Sequence, residues 1–286
     1  MRSLSLPHYS ALDVYKICIK GVSNPTLRLK LASISSAIET SEYEYKAKAK
    51  IDSLYQVPAN EFPNSSIVYG QVTKEELKKV YNQYLVGPGK PARAIYDALR
   101  HNAPNGRCPF CGHGHVATLD HYLPKSKFPQ YCVAPVNLVP SCRDCNSGKS
   151  TAHATLQEKQ TLHPYFLNPR FVDEQWIFAE VKETTPPSVS YFVRVPADWN
   201  DVMAAQASRH FDDFGLGDRY ALEASHHLGN LRESLKLHLP DGNARAIKRH
   251  LEKEAEAYNL QHKNSWQTAM LQALADNEWY CNGGYE

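Results

Sequence analysis

At 286 residues, with 42% hydrophobic and 22% charged side chains, the sequence has room for a substantial core and the composition of a globular protein rather than a disordered or fibrous one. No run approaches the roughly 18 apolar residues of a membrane span, and "MRSLSLPHYSALDVYKICIKG" lacks the unbroken apolar core of a signal peptide, so the expectation is a cytoplasmic protein with no membrane partner. A net charge of +2 does not by itself imply a polyanion, but Lys and Arg outnumber Asp and Glu 14 to 9 over residues 1–100 and 5 to 2 over 101–150, and fall to 13 against 19 over 151–286. That split suits a polyanion bound by the front half.

Residues 1–100 read as a helical N-terminal region interrupted by a loop at "VPANEFPNSS". Thr73 with Glu76 makes a capping box before "KEELKKVYNQYL", where Leu77, Val80, Tyr81 and Tyr84 share a face. "GPGK" breaks the chain, Pro91 opens a second helix, "PARAIYDALRHN", with Ile95 and Leu99 on one side, and "APNG" ends it. Residues 108–156 are irregular. After them, "QWIFAEV" and "SVSYFVRV" read as strands of a hairpin joined by "KETTPP". From about residue 199 helix returns, as in "NARAIKRHLEKEAEAY" with Asn243 as cap, and in the step Trp266, Met270, Leu274. The expected class is α+β and mainly helical, in three parts: 1–100, a core over 101–165, and a β-hairpin with helices over 166–286.

Seven cysteines are an odd number and do not suit a complete disulfide framework. Four make two Cys-x-x-Cys pairs, Cys108/Cys111 and Cys142/Cys145; the bland reading of Cys18, Cys132 and Cys281 is small buried side chains. Two such pairs complete a tetrahedral zinc shell with no position left for water, so the zinc is structural and any chemistry lies elsewhere. His113 and His115, in "CGHGH", read as loop residues. "SGKST" is not a P-loop, because the glycine that pattern needs is Arg143.

Between and just after the cysteine pairs come "LDHYLPKS" and "PVNLVPSCRDCNSGK". Over about residues 108–150 these segments resemble the HNH endonuclease family, in the form whose ββα-metal motif is held by two zinc-binding Cys-x-x-Cys pairs. "LHPYF" and the C-terminal "NSWQTAMLQALADNEWYCNGGY" are similar to HNH proteins of bacterial anti-phage defence. The resemblance implies a metal-dependent endonuclease acting on DNA. His121 would be the general base, Asn137 the residue that braces it, and Asp120 and Asn146 the ligands of a catalytic Mg²⁺ or Mn²⁺. Lys149, Lys125, Lys127 and Arg143 would lie against the nucleic acid. It also brings a defence role, a partner such as an ATPase, and a homodimer as one route to double-strand breaks.

Carboxylate and amide oxygens suit a hard cation, and an imidazole can take a proton from water near neutral pH. Asp120 and His121 can converge only if their strand, starting near Val116, stops at this pair, since successive strand residues face opposite ways. A second strand in "VNLVP" and a helix starting near Cys145 would complete the unit. The competing expectation is a non-catalytic zinc-ribbon adaptor for nucleic acid or protein.

Overall fold

The computed structural model describes residues 1–149, 153–240 and 242–286, so the end of "SGKST" lies outside the described residues. The fold is α+β and mainly helical. Backbone contacts divide the chain into two units, Arg2–Leu167 and Asn168–Glu286, the second including Met1.

In the first unit, α1 (Ala11–Lys20) starts where the Ser10 hydroxyl accepts from the Asp13 amide, and it buries Val14, Tyr15 and Cys18. α2 (Pro25–Ala32) has Asn24 as its cap and proline in its first turn. α3 (Ser35–Lys50) buries Ile38, Tyr45 and Ala49. A small hairpin follows, β1 (Ile67–Tyr69) paired irregularly with β2 (Val72–Thr73), which the sequence did not separate from the loop before it. Thr73 caps α4 (Lys74–Lys79): its hydroxyl accepts from the Glu76 amide, and the Glu76 carboxylate accepts from the Thr73 amide at 2.7 Å.

Residues Val80–Leu85 then run on as a π-helical turn. Its wider i→i+5 spacing changes which residues face inward. Val80, Tyr81 and Leu85 are buried, while Tyr84, expected on that face, is only half-buried. α5 (Arg93–His101) buries Ile95, Tyr96 and Leu99, but it starts two residues after Pro91, which lies in the preceding turn.

β3 (Thr118–His121) and β4 (Leu138–Ser141) pair antiparallel, with Asp120 opposite Val139 and His121 opposite Leu138. α6 (Arg143–Lys149) follows β4 after one residue. The segment linking the strands is largely buried, with Phe128, Cys132 and Val133 fully enclosed.

The second unit begins with the short α7 (Arg170–Asp173) and the hairpin β5 (Ile177–Lys182) and β6 (Ser188–Val193), in register from Ile177–Val193 to Lys182–Ser188. It continues with α8 (Asp201–Asp213), α9 (Leu216–His238), α10 (Ala244–Gln261) and α11 (Trp266–Asp276). β5 packs on α11 and β6 on α9. Asn200, Asn243 and Ser265 cap α8, α10 and α11 through side-chain oxygens. The fully buried Trp176 donates its indole N–H to the Phe171 carbonyl at 2.9 Å. Among the described residues, no helix is long and apolar enough to cross a membrane.

Candidate functional site

The first half of the site is a cluster of thiols. The Sγ atoms of Cys108, Cys111, Cys142 and Cys145 all lie within 4.8 Å of one another, and all four residues are buried. Cys111 and Cys142 have sulfurs 3.9 Å apart, near the roughly 3.8 Å edge of a tetrahedron built on Zn–S bonds of about 2.3 Å. Each pair is a tight turn whose backbone points at sulfur: the Gly114 amide donates to Cys111 Sγ at 3.3 Å and the Cys145 amide to Cys142 Sγ at 3.5 Å. Gly114 is required by space, since a Cβ there would sit 2.9 Å from Cys142 Sγ. The cluster fits a zinc site, and four sulfurs fill its shell, leaving a structural role. Among the described residues, His113 and His115 are not part of it. Cys18, Cys132 and Cys281 are buried elsewhere, and the Cys132 thiol donates to the Leu77 carbonyl at 3.1 Å.

The second half is the end of β3, where Asp120 and His121 occupy the last two positions and are 5% and 8% exposed. His121 Nε2 lies 2.9 Å from the Cys132 carbonyl oxygen. A carbonyl only accepts, so Nε2 carries the proton, and Nδ1 of the neutral ring keeps its lone pair. The ring meets Tyr81 edge-on at 4.4 Å. Burial, and then the nearby Lys125 ammonium, push His121 down to about 3, so it is neutral at physiological pH. Burial raises Asp120, and the Lys149 ammonium opposes that rise.

Asn137 is fully enclosed and uses its whole amide. Its Oδ1 accepts from the Leu123 amide at 2.7 Å and the Tyr45 hydroxyl at 3.1 Å; its Nδ2 donates to the carbonyls of Leu123 (3.1 Å) and Tyr131 (3.2 Å). It fixes the chain just past His121, so the loop leaves β3 in one direction.

Lys149, which the resemblance assigns to a phosphate, is turned inward. Its Nζ lies 3.3 Å from Asp120 Oδ2 and donates to the carbonyls of His121 (3.1 Å) and Tyr122 (2.6 Å). A buried carboxylate needs a counter-charge, and α6 delivers one. Asn146 is half-buried one turn earlier on α6, while Arg143 is exposed at its start. Lys125 donates to Asn82 Oδ1 at 2.9 Å and stands over the Tyr81 ring at 4.4 Å, which ties it to the residue beneath His121. Lys127 pairs with Glu61 at 3.3 Å, away from this network. Hydrogen bonds thus join Asp120, His121 and Lys149, with Asn137 bracing the exit from the strand.

Tyr45 and His163, both members of the network, were not singled out from the sequence. His163, within "LHPYF", stacks on Tyr122 with centroids 4.0 Å apart, and its Nε2 is 2.9 Å from the Tyr45 hydroxyl that also bonds Asn137. Burial holds His163 well below its usual range. Its folded pKa is therefore depressed, and only the unfolded chain takes up the proton below about pH 6.5. Stability should be full above that pH and fall as pH drops toward the folded value, by up to about 1.4 kcal/mol per pH unit for this one group. Urea unfolding at pH 7.5, 6.5 and 5.5 checks this: His163→Gln should flatten the dependence by about one proton, and an unchanged slope contradicts it.

No family profile and no solved structure matches the chain. It is 31% identical over 296 residues to protein ea31 of Escherichia phage lambda, an alignment covering 99% of this chain and all of that one. The chain belongs to the ea31 family. The match to ea31 spans both units. The name ea31 states no activity.

Proposed function

We propose that the chain is a metal-dependent endonuclease of the HNH type, with Asp120, His121 and Asn137 at its centre and DNA as substrate. The observation that carries the reading is the placement of His121: the Cys132 carbonyl holds its Nε2–H at a strand end beside a buried carboxylate, which leaves Nδ1 to accept a proton. The antiparallel β3–β4 pair leading directly into α6, with the four-cysteine cluster at the base, supports the ββα-metal arrangement that the sequence resembles.

The donor set at Asp120 is all oxygen: one carboxylate and the carbonyls of His121 and Tyr122 converge on one cation, the Lys149 ammonium. Oxygen donors of this kind fit Mg²⁺ or Mn²⁺. Asp120 and the Asn146 amide would hold such an ion, and when bound it would offset charge on the phosphate oxygens. The chain's own part is the proton. His121 takes it from the attacking water at Nδ1, and the Cys132 carbonyl stabilises the imidazolium through Nε2–H. The Tyr81 ring limits how the imidazole can turn, and Asn137 fixes the chain just past it.

The test is nicking of supercoiled plasmid with Mg²⁺ or Mn²⁺. His121→Ala should lower the rate by about 10²–10⁴-fold, the usual contribution of a general base, while zinc content stays at the wild-type level and the protein remains folded at the assay temperature. Equal nicking by both proteins, or none by wild type, counts against the proposal.

One observation favours the second reading, a zinc-ribbon adaptor: Asp120 is already neutralised by Lys149 within the fold. An adaptor would bind DNA with salt-dependent affinity and be indifferent to His121→Ala. The defence role, ATPase partner and homodimer implied by the resemblance have no supporting observation and form no part of the proposal.

A further inference from the structure

Lys149 occupies an unusual seat for a lysine. Its side chain is 8% exposed, as is that of Asp120. Its ammonium lies 3.3 Å from Asp120 Oδ2, 3.1 Å from the His121 carbonyl oxygen and 2.6 Å from that of Tyr122, and 4.6 Å from the centroid of the Tyr122 ring. Three oxygens directed at one point is how a protein binds a cation, and here the cation belongs to the chain.

We propose that Lys149 is a built-in competitor for the cation seat on Asp120, one that keeps a divalent ion out until an anion of the phosphodiester class draws the ammonium away. This deepens the nuclease reading and rests on it. A divalent ion and an ammonium crowded onto one carboxylate repel each other, more strongly in a buried setting than in water, so each weakens the other's hold. Lysine suits the exchange: it is a point charge on a flexible four-carbon stem, so the ammonium can leave by rotation while α6 stays in place. The same helix carries Asn146 one turn before Lys149, so a group offered to the incoming ion and the group that must vacate sit on one element. Phosphate gives the displaced ammonium a partner as good as the carboxylate it leaves. Metal loading and phosphate arrival are then coupled, and each must favour the other to the same degree.

The experiment reads Mn²⁺ binding to the full chain by electron paramagnetic resonance, without nucleic acid, so it does not depend on activity. Lys149→Gln removes the charge but keeps an N–H donor for the carbonyls, and Lys149→Met is the second neutral variant. Both should bind Mn²⁺ at least about tenfold more tightly than wild type. Adding Asp120→Asn to either should abolish the gain. Equal, Asp120-dependent Mn²⁺ binding by wild type and the neutral variants overturns the competitor role while leaving the metal-site reading intact. Absence of Mn²⁺ binding in all of them overturns it too, and the plasmid assay judges the nuclease reading separately. If neither neutral variant folds, as read by zinc content, the wild type carries the test through ¹⁵N spectra of its lysine ammonium groups. A slowly exchanging buried signal that survives Mg²⁺ alone and is lost when Mg²⁺ and a short DNA duplex are added together supports the proposal, and its persistence with both at saturation overturns it.

Discussion

Stripping zinc with a strong chelator, or replacing Cys142 by alanine, is expected to unfold the β3–β4–α6 region, with bound zinc falling from about one per chain to none. The expectation follows from what the four sulfurs connect. Cys111 and Cys142 bracket the residues that form β3, the buried linking segment and β4, so one ion closes both ends of a long insert. A covalent cross-link over about thirty residues would contribute on the order of 3–4 kcal/mol through the unfolded chain alone. Zinc bonding adds more, since structural sites bind with apparent free energies of about 10–16 kcal/mol. A domain's whole stability is about 5–15 kcal/mol, so losing the ion exceeds what the remaining contacts of this region can offset. Hydrogen exchange resolved along the chain is the measurement: the amides of β3 and β4 should lose protection on chelation. A zinc-free protein with those amides still protected, or a purified protein with no zinc, would refute the structural role.

Asn137→Ala is expected to cost about 4–6 kcal/mol, the next largest effect, because it breaks four buried hydrogen bonds at once. The Leu123 amide, the Tyr131 and Leu123 carbonyls and the Tyr45 hydroxyl all meet the Asn137 amide. Alanine leaves those groups in a site that is fully enclosed in the parent, where each stranded partner costs about 1–3 kcal/mol before any relaxation or water entry. Asn137→Asp is the informative companion. It keeps the shape and the oxygen that accepts two bonds but cannot donate to two carbonyls, so it too should be strongly destabilising, unlike a carboxamide-to-carboxylate change on the surface. Chemical denaturation of both variants decides it, and a loss below about 1 kcal/mol for either would show that the loop does not depend on this side chain.

What the sequence disclosed and what it withheld divides by range. Thr73 and Asn243 announce helix starts because their cap bonds span three residues. The β5–β6 hairpin is legible because its strands alternate and its turn is polar. The cysteine pairs are legible because two-residue spacing already brings two thiolates to one ion. The end of β3 at His121 follows from a local condition, that neighbouring strand residues diverge unless the strand stops. By contrast, Tyr45 meets Asn137 across 92 positions and His163 across 118, and no spacing rule reaches that far. The signal for His163 was its place in "LHPYF", an aromatic cluster around a histidine, which fits a buried ring as well as a surface one. The inward turn of Lys149 was hidden for a related reason. Asn-x-x-Lys on a helix sets both side chains near one face, but whether the ammonium meets outside phosphate or inside carboxylate depends on a strand 29 positions earlier.

The π-helical turn at Val80–Leu85 carries an implication for how this family can vary. Widening a helix by one residue advances everything after it by about 100°. Tyr81, whose ring packs nearly perpendicular to that of His121 and lies under Lys125, sits within that offset stretch. Trimming a single residue there would restore ordinary winding and leave a sound helix, yet it would rotate the aromatic contact away from the imidazole. Among ea31 relatives, single-residue gaps along 80–85 should therefore be rare even where an exposed side chain such as Gln83 is exchanged, a bias in insertions and deletions set by the phase of one turn.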